Sequence, residues 1–252
     1  MDYQLTLNWP DFIERYWQKR PVVLKRGFAN FIDPLSPDEL AGLAMESEVD
    51  SRLVSHQDGK WQVSHGPFES YDHLSENNWS LLVQAVNHWH EPSAALMHPF
   101  RALPDWRIDD LMISFSVPGG GVGPHLDQYD VFIIQGTGRR RWRVGEKVPM
   151  KQHCPHPDLL QVDPFEAIID EEMEPGDILY IPRDSRMRVI RWKTRLTIRS
   201  AIARRMPASC LAALPTMSSS ANWAASATPI RTCRPATIRR IFYRPNSTAC
   251  AR

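Results

Sequence analysis

The stretch that decides the fold reads Gly119-Gly120-Gly121-Val122-Gly123-Pro124-His125-Leu126-Asp127. It follows residues 111–117, in which large apolar and mostly small polar side chains alternate as they do along a β-strand. Because residues two apart on a strand point to the same face, His125 and Asp127 are predicted to lie side by side. An imidazole beside a carboxylate supplies two of the three ligands of a facial iron site. The pair is therefore predicted to bind a metal ion, and a polar pair within a turn is the alternative.

Charge divides the chain at residue 183. Residues 1–182 carry 15 Lys and Arg against 28 Asp and Glu, a balance of −13, whereas residues 183–252 carry 15 against 1, a balance of +14. All 12 Gly and all 9 His also precede residue 183. We therefore predict a globular domain over 1–182 and a basic segment of low order over 183–252. The acidic balance of the domain favours a basic partner.

The sequence gives no sign of secretion or of membrane insertion. Its first residues lack the basic and apolar regions of a signal peptide, and no apolar run is long enough to span a bilayer. Cys154 is the one cysteine of residues 1–182, so no disulfide framework is expected there. These features predict a cytoplasmic protein without a membrane partner.

The order of the predicted elements indicates the fold class. Amphipathic or capped patterns predict helices over 11–19, 37–47 and 79–89, and the second begins with the capping box of Ser36 and Glu39. Short β patterns with Gly and Pro turns follow over 111–117, 130–135, 139–144, 167–169 and 178–181. Helices before many short strands predict a mainly β fold with helical decoration, a β-barrel or jelly roll. After residue 182 we expect at most one short element, over 196–202.

The arginine-rich strand predicted over 139–144 divides between two faces. Period two puts Arg140 on one face with Trp142 and Val144, and this partly apolar face should be the inner one. A buried guanidinium can hold a carboxylate bidentately, as an iron oxygenase that uses 2-oxoglutarate requires. Arg140 is therefore the candidate cosubstrate anchor, with an ordinary salt bridge as the alternative. The remaining three arginines are predicted to form a solvated face: Arg139, Arg141 and Arg143.

Other polar residues are weaker candidates. Ser114 and Ser116 share a strand face and could donate hydroxyl groups to the same carboxylate, although serines on strands are often unremarkable. The run His153-Cys154-Pro155-His156 resembles a metal cluster, but its prolines favour an exposed loop. His88 and His90 are expected to be structural or surface residues.

Taken together, these features resemble the JmjC-type 2-oxoglutarate and iron(II) oxygenases, which have the double-stranded β-helix of the cupins. The resemblance covers residues 1–182 and is closest to the bacterial ribosomal oxygenases, which hydroxylate an arginine of large-subunit ribosomal protein sixteen. Its most specific part is the run Glu174-Pro175-Gly176-Asp177-Ile178-Leu179-Tyr180-Ile181-Pro182.

The resemblance implies roles for residues and partners. It makes His125 and Asp127 iron ligands, and Arg140 with Ser114 2-oxoglutarate contacts. It also implies a basic ribosomal substrate, association with the ribosome, and a dimer whose dimerising region is absent from this sequence.

The chain departs from the family pattern after Pro182. The family places its distal iron-binding histidine five residues further on, and here that position is Met187. A thioether is a soft ligand that matches iron(II) poorly. The barrel is also expected to be incomplete at its C-terminal strands. The resemblance therefore implies a protein arginine hydroxylase whose activity is impaired.

Alternatives remain for the basic segment and for the function. The abrupt change of composition suggests a reading-frame change near codon 183, a hypothesis that fails if the gene holds no family-like continuation in another frame. The segment could instead be a nucleic-acid-binding arm, which would make the chain an RNA-associated protein. The domain could also be a catalytically inactive cupin-like binding module, or a metal-dependent cupin that does not use 2-oxoglutarate.

Overall fold

The computed structural model describes residues 2–148, 151–183, 185–190 and 195–202, the last two segments by their backbone except for Ser185. It contains three α-helices, α1 Trp9–Arg15, α2 Pro37–Leu43 and α3 Glu91–Ala94, and three 3-10 turns, Val86–His88, Ala95–Phe100 and Asp105–Arg107. The strands of the described residues are β1 Gln4–Leu5, β2 Val22–Leu24, β3 Phe28–Ala29, β4 Ser51–Gln57, β5 Lys60–His65, β6 Trp79–Val83, β7 Ile108–Ser116, β8 His125–Leu126, β9 Asp130–Gln135, β10 Arg140–Gly145, β11 Gln152–His156, β12 Leu159–Val162, β13 Ala167–Met173, β14 Ile178–Ile181, β15 Arg186–Ile190 and β16 Arg195–Ile202.

Two antiparallel sheets form the body of the fold. The larger has eight strands in the order β2-β14-β9-β16-β7-β6-β4-β5, and the smaller has four in the order β13-β10-β15-β8. Two ribbons, β1-β3 and β11-β12, complete the strand pairing of the described residues. The predicted class is confirmed: this is a mainly β fold of jelly-roll type with helical decoration.

The inner faces of the two sheets pack against each other. Trp142 and Val144 of β10 contact Val131 and Ile133 of β9 in one buried apolar cluster, together with Leu179 of β14. These side chains are at most 2% exposed. Burial of this cluster holds the smaller sheet against the larger one, because apolar surface removed from water stabilises the folded state.

The outer face of the larger sheet is covered by the helices. Phe132 of β9 and Tyr180 of β14 alternate with the inward residues and contact Phe12 of α1. Leu40 of α2 and Phe100 belong to the same buried cluster. The central strands are thus buried on both faces, which explains their continuous apolar runs.

Local sequence signals set two of the helix starts. Ser36 accepts from the backbone N–H of Glu39 while the Glu39 carboxylate accepts from Ser36, so the predicted capping box is confirmed. Helix α1 begins at Trp9, where Asn8 accepts from the N–H of Asp11. The corresponding patterns predicted longer helices than the structure has.

The helix predicted over 79–89 is wrong. Residues Trp79–Val83 form β6, and only Val86–His88 form a 3-10 turn. Ala85 has a left-handed φ of 52°, which interrupts any helix through this segment. Because Leu81, Leu82 and Val83 are all buried, β6 carries a short apolar run that periodicity alone does not distinguish from a helix.

The compact unit continues past residue 182 and extends from Met1 to Arg204. Strand β16 fills the place between β7 and β9 in the larger sheet, and β15 fills the place between β10 and β8 in the smaller one. The expectation that the barrel is incomplete at its C-terminal strands is therefore wrong for β15 and β16. The expectation of at most one short element after residue 182 is also wrong, because β15 precedes the predicted element over 196–202. Most of the predicted basic segment, residues 203–252, lies outside the described residues.

No helix of the described residues is both long and apolar enough to cross a bilayer.

A buried hydrogen-bond network ties the N-terminal segment to the larger sheet. The Tyr180 hydroxyl donates to Oδ1 of Asp130 at 2.6 Å and accepts from the Gln18 backbone N–H at 2.8 Å. Burial and the bond to Asp130 raise the pKa of the Tyr180 hydroxyl well above its usual value, so it remains a donor.

We expect Tyr180→Phe to lower the free energy of unfolding by about 1–3 kcal/mol, because it leaves two buried polar groups without this partner. Urea denaturation measures the loss. Tyr16→Phe, at a half-buried residue whose backbone N–H caps the C-terminal end of α1, serves as the control and should change stability by less than about 0.5 kcal/mol. Equal effects of the two substitutions would contradict the role of the network.

Candidate metal centre

The loop between β7 and β8 fits closely against the start of β6. A Cβ on Gly120 would lie 2.0 Å from the Trp79 carbonyl oxygen, so only glycine is accommodated there. Gly119 and Gly123 have φ of 79° and 80°, a region that glycine adopts without strain. The glycine-rich sequence therefore allows the chain to turn sharply after β7 and present His125 on the short strand β8.

His125 and Asp127 lie side by side, as the spacing predicted. Nε2 of His125 is 3.6 Å from Oδ1 of Asp127, and the two side chains are 15% and 13% exposed. Nδ1 of His125 is 3.0 Å from the carbonyl oxygen of Gly123. Because a carbonyl only accepts, Nδ1 carries the proton, and in the neutral imidazole Nε2 then has the lone pair that metal coordination requires. With metal–ligand bonds of roughly 2.0–2.2 Å, atoms up to about 4 Å apart can share one ion.

The backbone register puts residue 187 next to this pair. In β15 it pairs with His125 of β8 on one side and with Val144 of β10 on the other. Residues directly opposite each other have Cβ atoms about 4.5–5.5 Å apart. The register therefore agrees with residue 187 as the third position.

The donor set fits an iron(II) site at two positions and not at the third. Met187 provides a thioether where the family pattern has an imidazole. Within the part of the chain that the structure describes, no group of three or more His, Cys, Asp and Glu could hold a metal ion. Metal ligation by His125 and Asp127 remains a prediction.

Arg140 lies on the inner face of the smaller sheet, as predicted. It is 7% exposed, and Trp142 and Val144 on the same face are 2% and 0% exposed. Since Val144, residue 187 and His125 form one row across the sheet, Arg140 and His125 belong to the same face. They are separated by about 13 Å along the strand direction, four residues at the usual rise. The role of Arg140 as cosubstrate anchor remains a prediction.

Arg139, which precedes β10, and Arg141 and Arg143 of β10 lie on the opposite, outer face from Arg140. The guanidinium of Arg141 holds both carboxylate oxygens of Asp170, at 2.6 and 3.0 Å. Arg139 pairs with Glu172 and Glu174 at 3.2 and 2.9 Å. These residues therefore bind acidic side chains of β13 and the turn that follows it. Arg143 also lies near Asp170, at 3.5 Å.

Ser114 and Ser116 lie on the inner face of the larger sheet, each 6% exposed. Through the backbone of residue 197, Ser114 is level with Gln135, which shares the inward face of β9. The two serines and Arg140 thus line opposite walls of one interior. The Ser116 and Ser80 hydroxyl oxygens are 2.6 Å apart, so Ser116 already has one partner on β6. Contact of either serine with a cosubstrate remains a prediction.

Sequence reasoning missed Ser80 and Gln161, and it gave no role to the indole N–H of Trp142. Ser80 is buried against Ser116, and Gln161 donates to the Val122 carbonyl oxygen at 2.8 Å. The indole N–H of Trp142 is buried and makes no hydrogen bond. The first two contacts join residues 36 and 39 positions apart, a separation at which the sequence carries no local signal.

The weaker histidine candidates have ordinary partners. His156 and Asp158 lie 3.7 Å apart in the ribbon β11-β12, and His153 is 3.7 Å from Asp163. Nδ1 of His90 is 2.8 Å from the Ser93 hydroxyl, and His88 is exposed. The exposure of His88 and the contact of His90 agree with the structural or surface roles expected for them. The exposed loop predicted for residues 153–156 is wrong, because Gln152–His156 form β11.

The family assignment follows from the fold and from a direct match. The model of the JmjC domain matches residues 95–198, which span β7 to β16 and include the glycine loop. The chain belongs to the JmjC-domain family, as the crystal structure of an Escherichia coli relative at 69% identity also shows.

Within the family the chain is similar to a ribosomal oxygenase. It is 93% identical over 182 residues to the ribosomal protein uL16 3-hydroxylase of Escherichia coli K12. The matched segment covers 72% of this chain and 49% of that protein. The chain thus spans about half the length of this curated relative.

Solved structures of the Escherichia coli ribosomal oxygenase YcfD are also similar. One has a TM-score of 0.81 and 69% identity, covering 95% of this chain and 67% of that chain. Another, in complex with cobalt and 2-oxoglutarate, has a TM-score of 0.76 and 66% identity, covering 94% and 65%.

We expect Met187→His to strengthen binding of Co(II), a spectroscopic probe of divalent metal sites, because it adds an imidazole opposite His125. Loss of an outer-shell partner alone typically weakens metal binding 10–100-fold, so a new direct ligand should improve the Kd at least about tenfold. Anaerobic titration followed by visible absorption gives the Kd. Adding His125→Ala to Met187→His should remove the gain, and equal Kd values for the original chain and Met187→His would contradict residue 187 as the third position.

Proposed function

We propose that this chain is a 2-oxoglutarate- and iron(II)-dependent protein hydroxylase. Its substrate is an arginine of ribosomal protein uL16, and its activity is impaired because the distal iron-binding histidine is replaced by Met187. The observation that carries the proposal is the shared inner face of the smaller sheet, with His125 at one end and the buried Arg140 further along. In an oxygenase of this kind, 2-oxoglutarate binds the metal ion through its keto-acid end and an arginine through its distal carboxylate. The metal ligands and the arginine must therefore face the same interior.

Each residue of the site has a defined task in this proposal. His125 and Asp127 hold the metal ion, with the Gly123 carbonyl fixing the imidazole tautomer. Arg140 binds the distal carboxylate of 2-oxoglutarate, since a buried guanidinium matches a carboxylate in shape and charge. Ser114 and Ser116 line the opposite wall and provide hydroxyl groups to the same cosubstrate. A bound iron(II) ion supplies the activation of dioxygen, coupled to conversion of 2-oxoglutarate into succinate and carbon dioxide.

The partner is inferred from similarity and from charge. The Escherichia coli relative acts on uL16, and the −13 balance of residues 1–182 favours encounter with a basic ribosomal protein. Association with the ribosome and a cytoplasmic location follow from this substrate.

A second candidate is a catalytically inactive binding protein that retains the substrate surface. It is favoured by the lack, among the described residues, of any three-ligand group. This protein would bind uL16 without consuming 2-oxoglutarate.

Incubation with iron(II), 2-oxoglutarate and a uL16 fragment separates the two functions. Mass spectrometry should detect the gain of one oxygen atom on an arginine, with matching succinate, slowly for the original chain and faster for Met187→His. Binding of the fragment without modification by either protein would favour the inactive binding protein.

Arg140 and Arg141 provide a matched pair for the cosubstrate site. In the Met187→His background, Arg140→Ala should raise the KM for 2-oxoglutarate at least tenfold, because hydrogen bonds to charged groups contribute roughly 1.5–3 kcal/mol. Arg141→Ala removes an exposed arginine of the same strand and should leave this KM unchanged. The anchor role is refuted if both variants have the KM of their parent.

A further inference from the structure

The hairpin of β11 and β12 braces the glycine loop that carries the metal ligands. The backbone N–H of Val162 donates to the Pro124 carbonyl oxygen at 2.9 Å. The side-chain amide of Gln161 donates to the Val122 carbonyl oxygen at 2.8 Å. These two hydrogen bonds fix the carbonyl groups on either side of Gly123.

The carbonyl group between those of Val122 and Pro124, that of Gly123, is the hydrogen-bond partner of His125. Of the three consecutive carbonyl groups, the first and third accept from the hairpin, and that of Gly123 accepts from Nδ1 of His125 at 3.0 Å. A peptide chain held at both neighbouring carbonyls has little freedom to rotate the middle one. The hairpin thus fixes the direction in which the Gly123 oxygen points.

Gln161 also occupies the space beside Gly123. A Cβ on Gly123 would lie 2.1 Å from Nε2 and 2.6 Å from Cδ of Gln161, so the amide fills the position that any larger residue would need. Gln161 itself is 4% exposed. Its amide therefore packs against the loop and donates to it at the same time.

The hairpin of β11 and β12 packs against the larger sheet. Leu159 of β12 is 6% exposed and clusters with Val54, Leu82 and Met112, and Val122 of the loop packs on the same cluster. Asp158, in the turn of the hairpin, pairs with His65 of β5 at 3.3 Å. Loop and hairpin are thus fixed to one apolar cluster.

We propose that Gln161 is a positioning residue for the metal centre. Its amide holds the Val122–Gly123 segment so that the Gly123 carbonyl orients the His125 ring and directs Nε2 towards the metal ion. The inference rests on the proposed function, because it presumes that His125 binds metal. Outer partners of metal-bound histidines fix the tautomer and the ring orientation in the same way.

The test compares Gln161→Ala and Gln161→Glu with their parent, both in the original chain and in Met187→His. Glutamate keeps the shape of glutamine but cannot donate to the Val122 carbonyl. Anaerobic Co(II) titration, read by visible absorption, should give a Kd about tenfold higher for both variants, with an altered Co(II) spectrum. Gln152→Ala, at an exposed glutamine of the same hairpin, should keep the parent's Kd and spectrum.

A metal-free measurement accompanies the titration. Hydrogen–deuterium exchange of residues 119–127 should be faster in both Gln161 variants than in the parent and in Gln152→Ala. Unchanged Co(II) affinity and spectra in folded Gln161 variants overturn the inference while leaving the metal site intact. If neither parent binds Co(II), the proposed metal site fails and the inference fails with it.

Discussion

The pairing of β15 with β10 and β8 is the constraint on which the rest of the site depends. Strand β8 has two residues and makes its ladder contacts, in the described structure, with β15 alone. Without β15, the segment carrying His125 would have no sheet to belong to, and Arg140 would lie in a sheet that lacks the proposed metal ligand. Strand β15 therefore joins the two halves of the interior.

Strand β15 also explains why methionine in place of histidine at residue 187 is expected to weaken the proposed metal site. Residue 187 lies in the row that connects His125 with Val144, so in the proposed function the residue type at this position bears on metal binding by His125 and Asp127. The main-chain pairing of this row is present. Its residue 187, however, is methionine where the family pattern has histidine. Fold and proposed reactivity are thus separable here: main-chain pairing maintains the two sheets, and the residue type at 187 is proposed to decide how firmly the site binds a metal ion.

Much of the fold could be predicted from the sequence because the relevant signals are local. Period two separated Arg140 from its exposed neighbours, and the spacing of His125 and Asp127 put them together. The capping box at Ser36 needed only four residues. The segment over 79–89 was misread because a strand buried on both faces has no alternation to distinguish it from a buried helix.

The features that sequence reasoning missed depend on contacts between distant segments. Ser80 meets Ser116 only because β6 pairs with β7, and Gln161 meets Val122 only because a hairpin folds back on the glycine loop. Such contacts are decided by topology and leave no pattern in a single sequence. The orientation of His125 belongs to the same group, since it requires knowing where the Gly123 carbonyl points.

The acidic strand β13 provides the ion-pair partners of the arginine-rich run at residues 139–143. In the sequence, the three arginines that flank the period-two face of Arg140 are predicted only to form a solvated face. In the fold, Arg139, Arg141 and Arg143 are opposed by carboxylates of β13 and its following turn, and Arg140 is turned into the interior. The charges of these three arginines are therefore largely offset by neighbouring carboxylates. A polyanion that contacted them would have to break these ion pairs, which a few phosphate contacts would not compensate for.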